Sequence, residues 1–231
     1  MKPKLLAAVA AGQAREAELV ALCVDEPVPA DGAWRAKDHV AHLATGRVRY
    51  AQELDVLRSG GLPAEVDQRA QNDKTYAANR DCPAVDIIAL ARLSWERVKE
   101  SIESCTEDDL RRPHPKVARA ELWNVVAGNM IGHLADHLGY WYTAAGDEAA
   151  AEQAHRWDYE VEARAAPDGR APWYVSYNLA CFYGLKGRAD DAVPLLSESF
   201  ERDPSLVAHA RKDSDLDPIR DDPRVKELLA T

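Results

Sequence analysis

The chain lacks what binding to a nucleic acid or an anionic membrane surface would need. Acidic residues outnumber basic ones, 39 to 29, for a formal net charge of -10, whereas both kinds of partner call for a basic patch. No hydrophobic run approaches the length of a membrane span. There is no Cys-x-x-Cys pair: Cys23, Cys82, Cys105 and Cys181 stand far apart. That spacing excludes a zinc ribbon and a dithiol redox motif, and suits a reduced cytoplasm. The alternating β-branched pattern of a strand is also missing, so the fold class expected is all-α. At 231 residues the chain can bury a core without disulfides or a structural metal, as one large domain or two smaller ones. The start, Met1-Lys2-Pro3-Lys4 followed by Leu5 to Ala11, has the layout of a signal peptide. Its apolar part is too short for a span, and Leu5, Val9, Leu19 and Leu22 continue around Arg15, Glu16 and Glu18 as one amphipathic helix.

What is present is a series of long helical patterns separated by clusters of Pro, Gly and Asp. The first runs from about Lys4 to Cys23 and stops before Glu26-Pro27-Val28-Pro29; the second runs from about Trp34 to Arg58, where Gly60-Gly61 and Pro63 end it. Asp81-Cys82-Pro83 is placed to cap a third, from about Ala84 to Cys105, with Ile87, Ile88, Ala91, Trp95, Val98 and Ile102 on its stripe. A fourth follows Pro113-His114-Pro115, from about Ala120 to Ala145. Four such helices meet the requirement of a four-helix bundle over residues 1–146. Past Gly146-Asp147 the composition changes, and 147–231 reads as a second, smaller helical domain. It opens with an alanine- and charge-rich helix from Glu148 to Ala166.

Histidine spacing carries the chemistry. His133 and His137 are one helical turn apart, so both imidazoles project from one face about 6 Å apart, within reach of one ion. A third ligand must come from elsewhere, and the other histidine-rich run is Asp38-His39-Val40-Ala41-His42-Leu43. Periodicity sets His39 beside Leu43, Tyr50 and Leu57 and leaves His42 at the edge of that stripe, so periodicity alone favours His39.

Trp34 followed eight residues later by His42 resembles the second-helix motif of the DinB-like superfamily, and His133-Leu-Ala-Asp136-His137 resembles that superfamily's His-x-x-x-His motif. Asn72-Asp73-Lys74-Thr75-Tyr76-Ala-Ala-Asn79-Arg80-Asp81 is similar to a connecting stretch of its ClbS/DfsB-like subgroup. The resemblance covers about residues 1 to 145. It implies a DinB-like four-helix bundle, a metal triad of His42, His133 and His137 with His39 as runner-up, and a homodimer. It also implies activities such as thiol S-transfer with a low-molecular-weight thiol, isomerisation or ring opening on small electrophilic metabolites. From Tyr177 to Pro204 the chain resembles one tetratricopeptide repeat, with Ala180, Gly187 and Ala192 where two antiparallel helices approach and Tyr183 and Phe200 at the bulky positions. A single repeat cannot cover its own apolar faces, so the helix 148–166 and the tail from Leu206 through Leu216, Ile219, Val225 and Leu228 are expected to flank it, with the inner helix 172–185 well buried.

Three neutral imidazoles around one ion leave a position open for water or a thiolate, as in a catalytic zinc site. They suit zinc, nickel, iron or copper. Asp38 and Asp136 are candidates to orient a histidine or act as a base. Trp34, Trp95, Trp123 and Trp141 read as core residues, and Cys23 and Cys105 as small core residues. His114, His155 and His209 read as solvated, and Asn72, Tyr76, Asn79 and Arg80 as either a pocket rim or a turn and cap. Two functions follow. One is a metal-dependent transferase or hydrolase acting on a small electrophile in the cytoplasm; the other is an interaction protein that binds a protein partner through the tetratricopeptide-like helices, with no nucleic-acid or membrane partner in either case.

Overall fold

The computed structural model describes residues 1–24, 34–117 and 119–230. The expected break at Glu26-Pro27-Val28-Pro29 lies outside the described residues. Among those described there is no strand, and one antiparallel backbone bridge joins Pro113 and Glu121. No described helix is long and apolar enough to cross a membrane. The chain divides into two compact units, Met1–Trp141 and Tyr142–Thr231.

In the first unit, α1 (Lys2–Leu22), α2 (Ala36–Arg58) and α4 (Ala84–Ser104) pack side by side with a fourth helical run from Leu122 to Ala144. A shorter helix, α3 (Gln68–Asn79), lies against α2, and the single turn and a half of α5 (Glu107–Arg111) leads into the bridge. Leu5, Leu19, Val40, Leu43, Ile87, Ile102, Ile131 and Leu134 are closed off from water and form the core. Gly12 lets α1 approach: a Cβ there would lie 2.8 Å from the Trp95 ring and 3.0 Å from Ile131.

Polar chemistry also holds this unit together. Glu16, one of the charged residues of the amphipathic α1, is buried; its carboxylate pairs with Arg47 of α2 at 2.8 Å and accepts from Trp95 Nε1 at 2.7 Å. Arg47 also donates to Ser94 Oγ at 2.8 Å, and its guanidinium lies 4.2 Å over the Trp95 ring. Three helices thus share one buried ion pair. Burial of an ion pair is tolerated when hydrogen bonds accompany it, and here Glu16 Oε2 accepts from both Arg47 and Trp95.

The fourth run is not one regular helix. α6 (Leu122–Ala127) passes into a π-helical turn, Gly128–Gly132, and then into α7 (His133–Ala144). The His133 amide donates to the carbonyl of Gly128, five residues back. Glycine holds an α-helix weakly, so a turn bounded by Gly128 and Gly132 is a favourable place for the wider π geometry.

The second unit is built on a helix hairpin, α9 (Trp173–Leu185) and α10 (Ala189–Arg202). Most of α9 is buried, including Val175, Leu179, Ala180 and Tyr183. α8 (Glu148–Ala165) packs on α9, and α11 (Leu206–Ala210), a 3-10 turn (Ser214–Ile219) and α12 (Pro223–Ala230) complete the cluster through Val207, Leu216, Ile219 and Val225. The glycines divide their work differently from the sequence expectation. Gly187 does not mark a close approach, because a Cβ there would meet nothing within 4 Å; it supplies φ +69 at the end of α9, with the Arg188 amide reaching back to Tyr183 O. The close approach is at Gly184, where a Cβ would lie 2.8 Å from the Asp215 carbonyl oxygen. Gly184→Ala is therefore expected to cost about 1–3 kcal/mol by overpacking, read as a lowered denaturation midpoint. An unchanged midpoint would show that the 3-10 turn yields freely.

Candidate metal centre

α2 and α7 bring four imidazoles together. His42 Nε2 lies 3.1 Å from His133 Nε2, which lies 3.2 Å from His137 Nε2. All three donor atoms fall within 4.8 Å of one another. His39 stands behind this trio: its Nδ1 is 2.7 Å from Nδ1 of His137. The two histidines of the helix-α2 run thus have separate places, His42 among the converging nitrogens and His39 against the far side of a ring that belongs to them.

The donor set can be tested for fit to an ion. Two ligand atoms in a tetrahedral site with bonds near 2.0–2.1 Å are about 3.3 Å apart. The two Nε2 separations, 3.1 and 3.2 Å, are close to that edge. Protons alone serve the arrangement poorly, because His133 Nε2 faces two other ring nitrogens and one N–H cannot bridge both. One cation would satisfy all three lone pairs. A proton on His137 Nδ1 donated to His39 would leave Nε2 of His137 unprotonated and facing the other two nitrogens, which is how ligating histidines are ordinarily fixed in one tautomer.

Burial keeps these rings neutral. It pushes His39 down to about 4, with Asp38 opposing the shift, and lowers His42, with the Arg49 charge adding to the effect. His133 falls to about 3 and His137 to about 2, burial again being the largest cause, followed by neighbouring rings. Neutral imidazole is the form that binds metal.

Among the described residues neither carboxylate hydrogen-bonds a histidine, although the Asp38 charge acts on His39. Asp38 is occupied at the start of α2, where it accepts from the Arg35 amide at 3.0 Å and from Arg35 Nε at 3.1 Å. Burial raises Asp136 to about 6, and among the described residues it makes no hydrogen bond to any of the four histidines.

The tryptophans separate into two pairs. Trp95 and Trp123 are core. Trp34 instead covers the imidazoles, its ring 5.4 Å from His39, 5.3 Å from His42 and 6.0 Å from His137, and it stacks on Tyr76 of α3 at 5.6 Å. Trp141 edges onto His39 at 6.1 Å. Of the rest of the 72–81 stretch, Asn72 and Thr75 lie beside His42 and His133, while Asn79, Arg80 and the following Cys82 tie the helices together. Lys37 Nζ donates to the carbonyls of Asn79, Arg80 and Cys82, clasping the α3–α4 connection to α2. Arg80 pairs with Asp81, so Asp81 does not cap α4, whose N-cap is Pro83 with no side-chain cap bond.

Beside His42 and His133 a small recess opens between α2 and α3, lined also by Thr45, Gly46, Arg49, Gln68, Gln71, Asn72 and Thr75. The remaining histidines lie elsewhere. His114 Nδ1 accepts the amides of Lys116 and Val117. His155 is not solvated as expected: its ring lies 4.8 Å from Phe182, and burial pushes it down to about 4. His209 is mostly exposed and 3.5 Å from Asp213. All four cysteines are free thiols, with Cys23 and Cys105 buried. The chain matches no protein-family model, no curated protein and no solved structure.

Proposed function

We propose that the first unit is a DinB-like four-helix bundle whose histidines hold one divalent ion, zinc, nickel or iron, and that it acts on a small electrophilic metabolite by thiol transfer or hydrolysis. The observation that carries this reading is the convergence of His42, His133 and His137 with Nε2 atoms 3.1 and 3.2 Å apart. An ion held there would lower the pKa of a thiol or water bound to it toward neutrality. His39 fixes the tautomer and tilt of His137 through the 2.7 Å contact. Trp34 and Tyr76 shield one side of the cluster from water, which strengthens electrostatic interactions inside it. The recess toward α3 offers the approach for a substrate.

The second unit fits a tetratricopeptide-like hairpin. Because α8 and the C-terminal helices already flank α9 and α10, it needs no partner to complete its core, which weakens the reading of the chain as primarily an interaction module.

The test is catalytic. Metal-loaded protein, a low-molecular-weight thiol and a chromogenic aromatic halide should give thioether at a rate above the uncatalysed one. His137→Ala should return the rate to background. Equal rates with wild type and His137→Ala protein would remove the thiol-transfer assignment.

A further inference from the structure

The second unit gathers metal-ligating side chains of its own. Tyr177 and Cys181 are one helical turn apart on α9, so their side chains leave the same face. Both meet Asp213, which caps the 3-10 turn with Oδ1 accepting the Asp215 amide at 3.0 Å. The other oxygen, Oδ2, collects three groups: the Tyr177 hydroxyl at 2.7 Å, Cys181 Sγ at 3.7 Å and His209 Nε2 at 3.5 Å. A carboxylate oxygen of Asp215 lies within 4.8 Å of both Cys181 Sγ and the Asp213 carboxylate. The missing side chain at Gly184 is what lets the Asp215 backbone press so closely on α9.

Two carboxylates and a buried thiol thus share one corner, and among the described residues no lysine or arginine side chain pairs with either carboxylate. Burial and the two carboxylates push the Cys181 thiol up, and burial with the Asp213 charge raises Asp215. A protonated thiol is a poor nucleophile, which argues against covalent chemistry at Cys181. A divalent cation, in contrast, would relieve the repulsion and take the thiol as thiolate. The spacing fits such an ion. With a zinc–sulfur bond of about 2.3 Å and zinc–oxygen and zinc–nitrogen bonds of about 2.0–2.2 Å, tetrahedral sulfur–oxygen and nitrogen–oxygen edges are about 3.6 and 3.4 Å. The separations across Asp213 Oδ2 are 3.7 Å to sulfur and 3.5 Å to nitrogen. The Tyr177 hydroxyl then has the part of the donor that orients a ligating carboxylate.

We propose that Cys181, Asp213 and Asp215, with His209 as fourth ligand, bind one zinc-class ion that clamps α9 to the C-terminal segment. Thiolate and imidazole beside carboxylate suit zinc or cobalt, whereas magnesium and calcium take oxygen ligands. As the sulfur–metal bond forms, the Cys181 proton leaves to solvent. Because that proton must leave, the site fills from added ion, after the neutral imidazoles of the first unit. All four ligands belong to the second unit, and the proposal stands whether or not His42, His133 and His137 hold metal.

Cobalt(II) is the probe, because a sulfur-to-cobalt absorption band reports a bound thiolate and the histidine centre has none to give. Full-length, reduced protein should develop that band on titration, and His137→Ala should keep it. Cys181→Ser should lose the band with helicity unchanged. His209→Ala, at an exposed position that leaves the fold alone, should keep the band and weaken cobalt binding by about tenfold or more. Tyr177→Phe should weaken it by about 10–100-fold, the effect of losing an orienting partner. Zinc should displace the cobalt, and magnesium in about hundredfold excess should not. No band at saturating cobalt would overturn the proposal and leave Asp213 a hub of hydrogen bonds. A band that survives in Cys181→Ser would overturn it too, since another cysteine would be supplying the sulfur. Unchanged affinity in His209→Ala would remove the fourth ligand, and displacement by magnesium would remove the zinc assignment.

Discussion

Protein purified without an affinity tag is expected to carry about one divalent ion per chain, and His42→Ala, His133→Ala and His137→Ala are each expected to lose it. The three substitutions are equivalent because each removes one of the nitrogens that converge at 3.1 and 3.2 Å. His39→Ala should differ in kind. It leaves the trio whole but removes the ring that hydrogen-bonds His137 Nδ1, and loss of such an orienting partner weakens metal affinity by about 10–100-fold without abolishing it. Metal content by mass spectrometry, with competition against a chelator for the His39 variant, checks both. Failure to take up zinc, nickel or iron at all would sink the metal centre. Binding that survives His42→Ala but not His39→Ala would exchange the roles of the two residues. Helicity should persist after chelation in every case, because Leu5, Leu19, Ile87 and Ile131 form a core independent of the site.

The other large effect belongs to Glu16. Glu16→Ala would leave the Arg47 guanidinium, buried to 2% side-chain exposure, without its counter-charge, and would take the acceptor from Trp95 Nε1. Breaking a buried pair from one side costs about 3–5 kcal/mol, whereas replacing both partners with apolar residues of similar volume is often neutral. Chemical denaturation should therefore show a deep loss for Glu16→Ala and much of it regained in Glu16→Leu with Arg47→Met. A single-variant cost below about 1 kcal/mol would mean that water reaches the guanidinium, since that is the range of exposed pairs.

The parts of the fold legible in the sequence were those set by local chemistry. Gly60-Gly61 end α2 and Pro83 starts α4, and of the stripe Ile87, Ile88, Ala91, Trp95, Val98 and Ile102 all but the half-buried Ile88 are buried. Position 16 was not legible because nothing in the spacing of α1 announces an arginine 31 residues ahead on another helix. The polar, weakly periodic stretch 68–79 hid α3, whose Asp67 cap was the available signal, its side chain accepting from Ala70. Gly187 is assigned to a close approach because sequence alone does not separate a glycine chosen for space, as Gly184 is, from one chosen for φ. The ambiguity between His39 and His42 has the same origin: both lie on the buried side of α2, at 9% and 8% exposure, and only the position of α7 separates their roles.

That position depends on the π turn before His133. One extra residue in a helical frame turns everything beyond it by about 100°, so the direction in which His133 and His137 face is a property of phase, fixed by the count of residues between Leu122 and His133 and by the bond from the His133 amide to Gly128. The same His-x-x-x-His string on an uninterrupted helix of this length would present its imidazoles to a different neighbour.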